Sequence, residues 1–311
     1  MITLDIGSKY CKIIYAATTK KSIKIKKSLM VKTPENAVEN GFITDVTAVA
    51  DVISQAISST RIKDTQAIVC VASSQIVAKE LQFPKVDIKK LDKMIAMAMD
   101  TYLKTEEYSV QYTYHIVKDM VHTQIYAIPE TIIEKYKQLL TQIGLVPVAM
   151  DVNSNAIEKL IKVIKIMPDK AHMIVADIGY DEIKMHIFSE GTFEYTRCAK
   201  INIDYMNKLH IQELFLQGEE PNEDDVNYSI FVSAICDELQ KMIQFYSAKG
   251  VPNDALSIYL CGGTSLLCGL PQTIESDLNV HVVRIEEMNH VELNGTNPAQ
   301  YINAIGAQVR L

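Results

Sequence analysis

Leu4-Asp5-Ile6-Gly7-Ser8-Lys9-Tyr10-Cys11-Lys12-Ile13-Ile14-Tyr15 is the stretch that decides how this chain is read. An apolar strand runs into Asp5 and Gly7, turns, and resumes at Ile13. A turn of this kind can lay backbone N–H groups around a phosphate. Gly7 admits close approach, Ser8 and Lys9 continue the loop, and Lys12 reaches back with a charge. Asp5 can hold a hydrated magnesium ion, because Mg²⁺ keeps several waters and takes few carboxylates directly. Most short Asp-x-Gly stretches are ordinary turns, so one alone carries little weight. The pattern recurs as Ile174-Val175-Ala176-Asp177-Ile178-Gly179-Tyr180-Asp181-Glu182-Ile183-Lys184, in the other half of the chain. Two such turns, each set between strands, point to a duplicated phosphate-binding unit.

A third stretch, Ser257-Ile258-Tyr259-Leu260-Cys261-Gly262-Gly263-Thr264-Ser265, reads as a buried strand, a paired-glycine turn and a helix starting at Thr264 or Ser265. Paired glycines let a base or ribose lie on the backbone, and a helix N-terminus favours negative charge. A plain strand-to-helix turn would use the same residues. Glu238 and Lys241 share one face of a long helix expected over Asn227–Lys249. They form either part of a site or a surface ion pair worth little.

At 311 residues, two domains is the natural expectation. The net charge of −7 argues against a nucleic-acid binder, whose affinity comes from Lys and Arg. No run of apolar residues is long enough for a membrane-spanning helix. The start runs straight into the first strand, so no signal peptide is expected. The six cysteines include no Cys-x-x-Cys pair and mostly fall in apolar runs, which fits a reducing cytoplasm. The seven histidines show no zinc-type spacing.

Along the chain, Ile23 and Ile25 alternate with Lys24 and Lys26, giving a half-exposed strand. Asn40-Gly41 marks a turn. Thr44 or Asp45 caps a helix striped with Val49, Val52, Ile53, Ala56 and Ile57. Ala67–Ala72 is a buried strand. Residues 79–149 then read as an inserted unit, strand–helix–strand–strand–helix–strand, self-contained and without obvious chemistry. Its helices start at Asp87 and before Ile132, and the second stops at Gly144. Asn153 or Ser154 caps the next helix, and Met167-Pro168-Asp169 is the expected hinge. A hairpin closes at Ser189-Glu190-Gly191. A helix around Tyr205–Phe215 and an acidic loop over Gln217–Asp225 precede the long helix, and a final helix covers Pro298–Val309.

The two Asp-Ile-Gly turns and the Gly-Gly turn, in this order, resemble the actin, sugar-kinase and Hsp70 ATPase superfamily. Asp5 to Lys12 is similar even to actin, including its Cys-Lys pair. The position of the inserted unit resembles the FtsA and PilM branch, and the whole chain resembles the PilM family of type IV pilus assembly proteins. That likeness rests on Leu81-Gln82-Phe83-Pro84, Glu134–Leu140 with Gly144-Leu145-Val146-Pro147, Met150-Asp151-Val152, Phe245-Tyr246 and Ala304–Arg310.

The resemblance implies an α/β actin-like ATPase fold, with duplicated RNase H-like halves around a nucleotide cleft and an inserted small α+β subdomain. Its domains would run 1–78, the insert 79–149, 150–168 completing the first domain, 169–297 as the second with a helical part over 205–252, and 298–311 returning to the first. It implies ATP and magnesium as cofactors. Asp5 and Asp177 would act on the metal through water. Gly7, Ser8, Lys9 and Lys12 would serve the first phosphate loop, Gly179 the second, Gly262, Gly263 and Thr264 the adenosine side, and Glu238 with Lys241 the ribose. It implies a cytoplasmic adaptor at the inner face of the cell membrane, holding the N-terminal peptide of a PilN-like inner-membrane protein. An FtsA-like filament protein and a true ATPase or kinase of the same fold are the alternatives. In place of the superfamily's usual small residue and Thr, the second loop continues as Tyr180, Asp181 and Glu182. Two extra carboxylates repel a triphosphate unless magnesium or lysine intervenes. No general base stands out, and Asn153 and Asn155 are the candidates for orienting water, so slow or no hydrolysis is expected.

Overall fold

The computed structural model describes residues 1–19, 21–103, 107–165, 172–201 and 226–309. The expected hinge at 167–169, the helix at 205–215 and the acidic loop at 217–225 lie outside them.

In chain order the first half contains β1 (Ile2–Ile6), β2 (Tyr10–Thr18), β3 (Ile23–Lys32), the short pair β4 (Val38–Glu39) and β5 (Phe42–Ile43), α1 (Val46–Ser58) and β6 (Gln66–Val71). β7 (Val77–Pro84), α2 (Ile88–Met99), β8 (Tyr108–Val117) and β9 (Met120–Pro129) follow, then α3 (Glu130–Gln142), β10 (Val146–Val152) and α4 (Asn153–Lys159). The second half contains β11 (His172–Ile178), β12 (Glu182–Ser189), β13 (Thr192–Lys200), α5 (Val226–Ala248), β14 (Leu256–Cys261), α6 (Leu270–Leu278), β15 (His281–Arg284), β16 (Val291–Glu292) and α7 (Pro298–Gln308).

β1 is buried along its whole length. It pairs antiparallel with β2 and parallel with β6, in a sheet ordered β10-β6-β1-β2-β3-β16. β11 is its counterpart, antiparallel to β12 and parallel to β14, in a sheet ordered β13-β12-β11-β14-β15. The register matches as well as the order. Asp5 stands opposite Lys12 and Cys70, and Asp177 stands opposite Lys184 and Cys261. The duplication expected from the two Asp-Ile-Gly turns is therefore present in the sheets that carry them.

Apolar residues from both sheets meet on α4 and α7. Ile14 and Ile25 of the first sheet, Met173 and Phe188 of the second, and Ile157, Ile302 and Ile305 of the helices share one buried cluster. The halves are thus joined by a continuous core, and α7 lies against strands of both.

The strands of residues 79–149 divide between two sheets. The insert's own sheet, ordered β7-β9-β8, packs Phe83, Val121 and Ile125 against Leu91, Ile95 and Met99 of α2. β10 instead extends the first sheet by pairing parallel with β6. α3 places Ile132, Tyr136, Leu139 and Leu140 in the first domain's core beside Val49 and Ile53 of α1. The reason is burial: each half-apolar element covers the larger sheet rather than the small one.

Asp45 and Asp87 cap their helices, accepting from Ala48 N and Lys90 N. Neither Asn153 nor Ser154 caps α4. Val152 holds the N-cap position, and Asn153 is already helical. Glu190 and Gly191 both have positive φ, 51° and 75°, the geometry of a tight hairpin turn. No described helix is long and apolar enough to cross a membrane.

Candidate functional site

The two Asp-Ile-Gly turns face one another across a cavity of about 200 Å³. Asp5, Gly7, Ser8, Lys9 and Lys12 line it from one side. Asp177, Gly179, Tyr180, Asp181, Glu182 and Lys184 line it from the other, with Gly263 and Thr264 between and Asn303 of α7 behind. Each turn is closed in the same way. Gly7 N–H donates to the Tyr10 carbonyl at 3.1 Å, and Gly179 N–H donates to the Glu182 carbonyl at 2.9 Å. A Cβ at Gly7 or Gly179 would sit 3.2 Å or 3.0 Å from that carbonyl, so a side chain at either would press the turn open by a few tenths of an ångström.

Gly262 serves packing. It has φ +88°, and a Cβ there would stand 2.4 Å from the Ile178 carbonyl oxygen and 2.5 Å from Asp177 Oδ1. The Gly-Gly turn therefore lies directly against the second Asp-Ile-Gly turn, and Thr264 Oγ1 donates to the Gly179 carbonyl at 2.6 Å. No α-helix begins at Thr264 or Ser265. One 3-10 turn covers Thr264–Leu266, and α6 starts at Leu270. The anion-attracting end of a full helix, expected from the sequence, is absent there.

Asp5 is buried, and its Oδ2 makes no hydrogen bond. Lys12 Nζ stands 3.7 Å from that oxygen, close enough for attraction and too far to donate. Burial pushes the Asp5 carboxyl above its usual range, the Lys12 cation opposes this, and Asp177 adds to the rise. Asp177 Oδ2 accepts from Asn303 Nδ2 at 2.9 Å, while Asn303 Oδ1 is itself buried without a hydrogen bond. Orphaned polar atoms of this kind are costly unless something else meets them. A hydrated cation fits. Its waters would donate to both oxygens, and among the described residues no group of three or more acidic, His or Cys side chains is arranged to hold a metal directly.

Glu238 and Lys241 do not line the cavity. Glu238 is held by Arg197 of β13 at 3.0 Å and by Lys241 at 2.5 Å. Partial burial raises its carboxyl, but the hydrogen bonds from Lys241 and Arg197 prevail and hold it below the usual range. Asn153 and Asn155 are also away from the cavity. Asn153 Nδ2 bonds the buried His186 ring at 3.1 Å, and Asn155 Nδ2 donates to Asp151 at 2.7 Å.

Lys184, Asn303, Tyr180 and Asp181 were not singled out as site residues. Lys184 had a signal, since it follows Asp177 at the spacing by which Lys12 follows Asp5. Asn303 had a weaker one, an amide set between the apolar Ile302 and Ala304.

A family model described as "Type IV pilus assembly protein PilM" matches residues 3–306. The chain belongs to the PilM family. The fold agrees with that of a solved PilM–PilN type IV pilus biogenesis complex, at TM-score 0.79 and 17% identity over 99% of this chain and 96% of that one. It is also similar to the ethanolamine utilization protein EutJ from Carboxydothermus hydrogenoformans (TM-score 0.58, 11% identity, 99% and 88% covered). A third likeness is to MreB 5 of Spiroplasma citri bound to AMPPNP (TM-score 0.50, 11% identity, 99% and 94% covered). PilM, EutJ and MreB share the actin-like ATPase architecture, and this PilM-family chain has it too.

Proposed function

We propose that this PilM-family protein is a cytoplasmic, ATP-loaded adaptor that holds the N-terminal peptide of a PilN-like inner-membrane protein. The observation that carries the nucleotide half is the pairing of two matched turns across one cavity, with the buried, unbonded Asp5 Oδ2 beside Lys12. Bound magnesium would supply positive charge to offset the phosphates. Asp5 and Asp177 would orient its waters, Asn303 would fix the Asp177 carboxylate, and Lys12 and Lys184 would meet phosphate oxygens. Slow turnover or none goes with this reading, because Asp181 and Glu182 of the second turn set negative charge beside the phosphates.

The partner half rests on the family and on the insert. That module has its own core, and it leaves Met97, Tyr114 and Ile116 largely exposed. The PilM relative was solved as a complex with PilN. A short peptide that orders on binding gives modest affinity, roughly micromolar.

Two titrations test this function. Calorimetry with ATP and magnesium should give saturable binding, and no heat at millimolar nucleotide would refute the nucleotide half. Labelled N-terminal peptide of the cognate membrane protein should bind the parent more tightly than a Met97→Ser, Tyr114→Ser, Ile116→Ser variant. Equal affinity would remove these three side chains from the binding site.

A further inference from the structure

The two turns touch each other across the cleft, through side chains at equivalent places. Aligning Gly7 with Gly179 sets Ser8 level with Tyr180 and Lys9 level with Asp181. The first turn presents a hydroxyl and a cation where the second presents a ring and an anion. They pair crosswise: Ser8 Oγ donates to Asp181 Oδ1 at 2.7 Å, and Lys9 Nζ lies 4.4 Å from the centre of the Tyr180 ring.

Asp181 is bonded across the cleft, to the opposite turn. Asp5 faces Lys12, Glu182 is paired with Lys184, and Asp177 accepts from Asn303. The Asp181 carboxylate accepts from a neutral hydroxyl on the opposite turn. The lining carries four carboxylates, Asp5, Asp177, Asp181 and Glu182, against the three lysines Lys9, Lys12 and Lys184. A cavity of about 200 Å³ is also small beside the roughly 300–1,000 Å³ of drug-sized ligand sites.

We propose that Asp181 is a specificity-determining charge latch, which closes the cleft through Ser8 and selects metal-chelated nucleoside polyphosphates over free ones. The proposal rests on reading the cleft as a nucleotide site. A polyphosphate entering between the turns takes Ser8 away from Asp181, leaving that carboxylate close to phosphate in a partly desolvated space, where like charges repel strongly. A divalent cation chelated to the phosphates offsets much of that repulsion. The free polyanion meets it in full.

The test measures equilibrium binding of ATP, once in EDTA and once in excess magnesium, for the folded parent and for Asp181→Ala, Asp181→Asn, Ser8→Ala and Glu182→Gln. Asp181→Ala and Asp181→Asn should raise affinity for metal-free ATP by about tenfold or more, with about threefold or less change in magnesium. The preference for the chelated form therefore collapses. Ser8→Ala keeps the charge and should keep the preference. Glu182→Gln should also leave it largely intact, because Lys184 already offsets Glu182.

If the parent binds with magnesium and neither Asp181 variant changes the preference, the latch is overturned and the nucleotide site stands. If Glu182→Gln acts as strongly as Asp181→Asn, the effect is general charge and the assignment to Asp181 fails. If the parent does not bind even with magnesium but Asp181→Ala does, the parent is closed to nucleotide, and both the ATP-loaded reading and the selection of the chelated form fail. If parent and variants all fail to bind, both fall together.

Discussion

Gly306 of α7 lies so close to Ala156 of α4 that a Cβ built on it would stand 2.3 Å from the Ala156 carbonyl oxygen. Helical backbone leaves no conformational reason for glycine here, so the reason is the crossing of the two helices that join the halves. Gly306→Ala is predicted to force α4 and α7 apart and to lower unfolding free energy by about 1–3 kcal/mol, the usual cost of overpacking. Urea denaturation measures it, and an unchanged midpoint would mean the crossing yields freely.

Beneath that crossing, Lys159 Nζ donates to Asp151 Oδ2 at 2.5 Å and to the Val309 carbonyl at 2.8 Å, with both side chains more than nine-tenths buried. Removing one member of a buried pair strands the other charge. Lys159→Met should therefore cost about 3–5 kcal/mol, even though methionine fills the space. A loss below about 1 kcal/mol in the same denaturation assay would show that water reaches Asp151 and that the pair counts as a surface one.

His186 offers a pH test. It is fully buried, and desolvation lowers it from an ordinary 6.5 to about 4. The neutral ring suits its partners: Nε2 can accept from Asn153 while Nδ1–H donates to Thr196. The unfolded chain protonates this group near 6.5 and the folded one only near 4. Its contribution is therefore complete above 6.5 and shrinks as pH falls towards 4, a loss of about 3 kcal/mol over the window. His186→Gln should remove that part of the acid sensitivity. Parallel stability-against-pH curves for parent and variant would contradict it.

The site was legible in the sequence where local geometry demands particular residues. Asp5-Ile6-Gly7 and Asp177-Ile178-Gly179 read as tight turns after buried strands, and each glycine leaves little room beside the carbonyl that closes its turn. Contacts made by tertiary structure were not legible. A helix-face reading paired Glu238 with Lys241 correctly but could not reveal Arg197, contributed from β13. Asn303 meets Asp177 only because α7 returns to pack behind both turns. The alternation of strands and helices over 79–149 said nothing about which sheet each strand joins, and β10 joined the larger one.

The duplication also predicts an asymmetry between Lys12 and Lys184, which occupy matched places opposite Asp5 and Asp177. Both line the cavity and both can reach an anion there. Their present partners differ. Lys12 stands off Asp5 at 3.7 Å, whereas Lys184 is in direct contact with Glu182. A cation already joined to a carboxylate has less charge to offer phosphate, and recruiting it means breaking that pair. Lys12→Ala should therefore weaken ATP binding by about 10- to 100-fold, the range of a lost hydrogen bond to a charged group. Because Lys12 would act on phosphate directly, the loss should appear both with and without magnesium. Lys184→Ala should cost less, because Lys184 must leave Glu182 before it meets phosphate, although the freed carboxylate gives back part of the difference. Asp5→Ala should behave differently again, weakening binding in magnesium more than in EDTA. Calorimetric titration of the three variants in both conditions decides the matter. Equal losses for the two lysines would show that the Glu182 contact opens at no cost, and a parent-like Lys12→Ala would remove the first turn from the phosphate site.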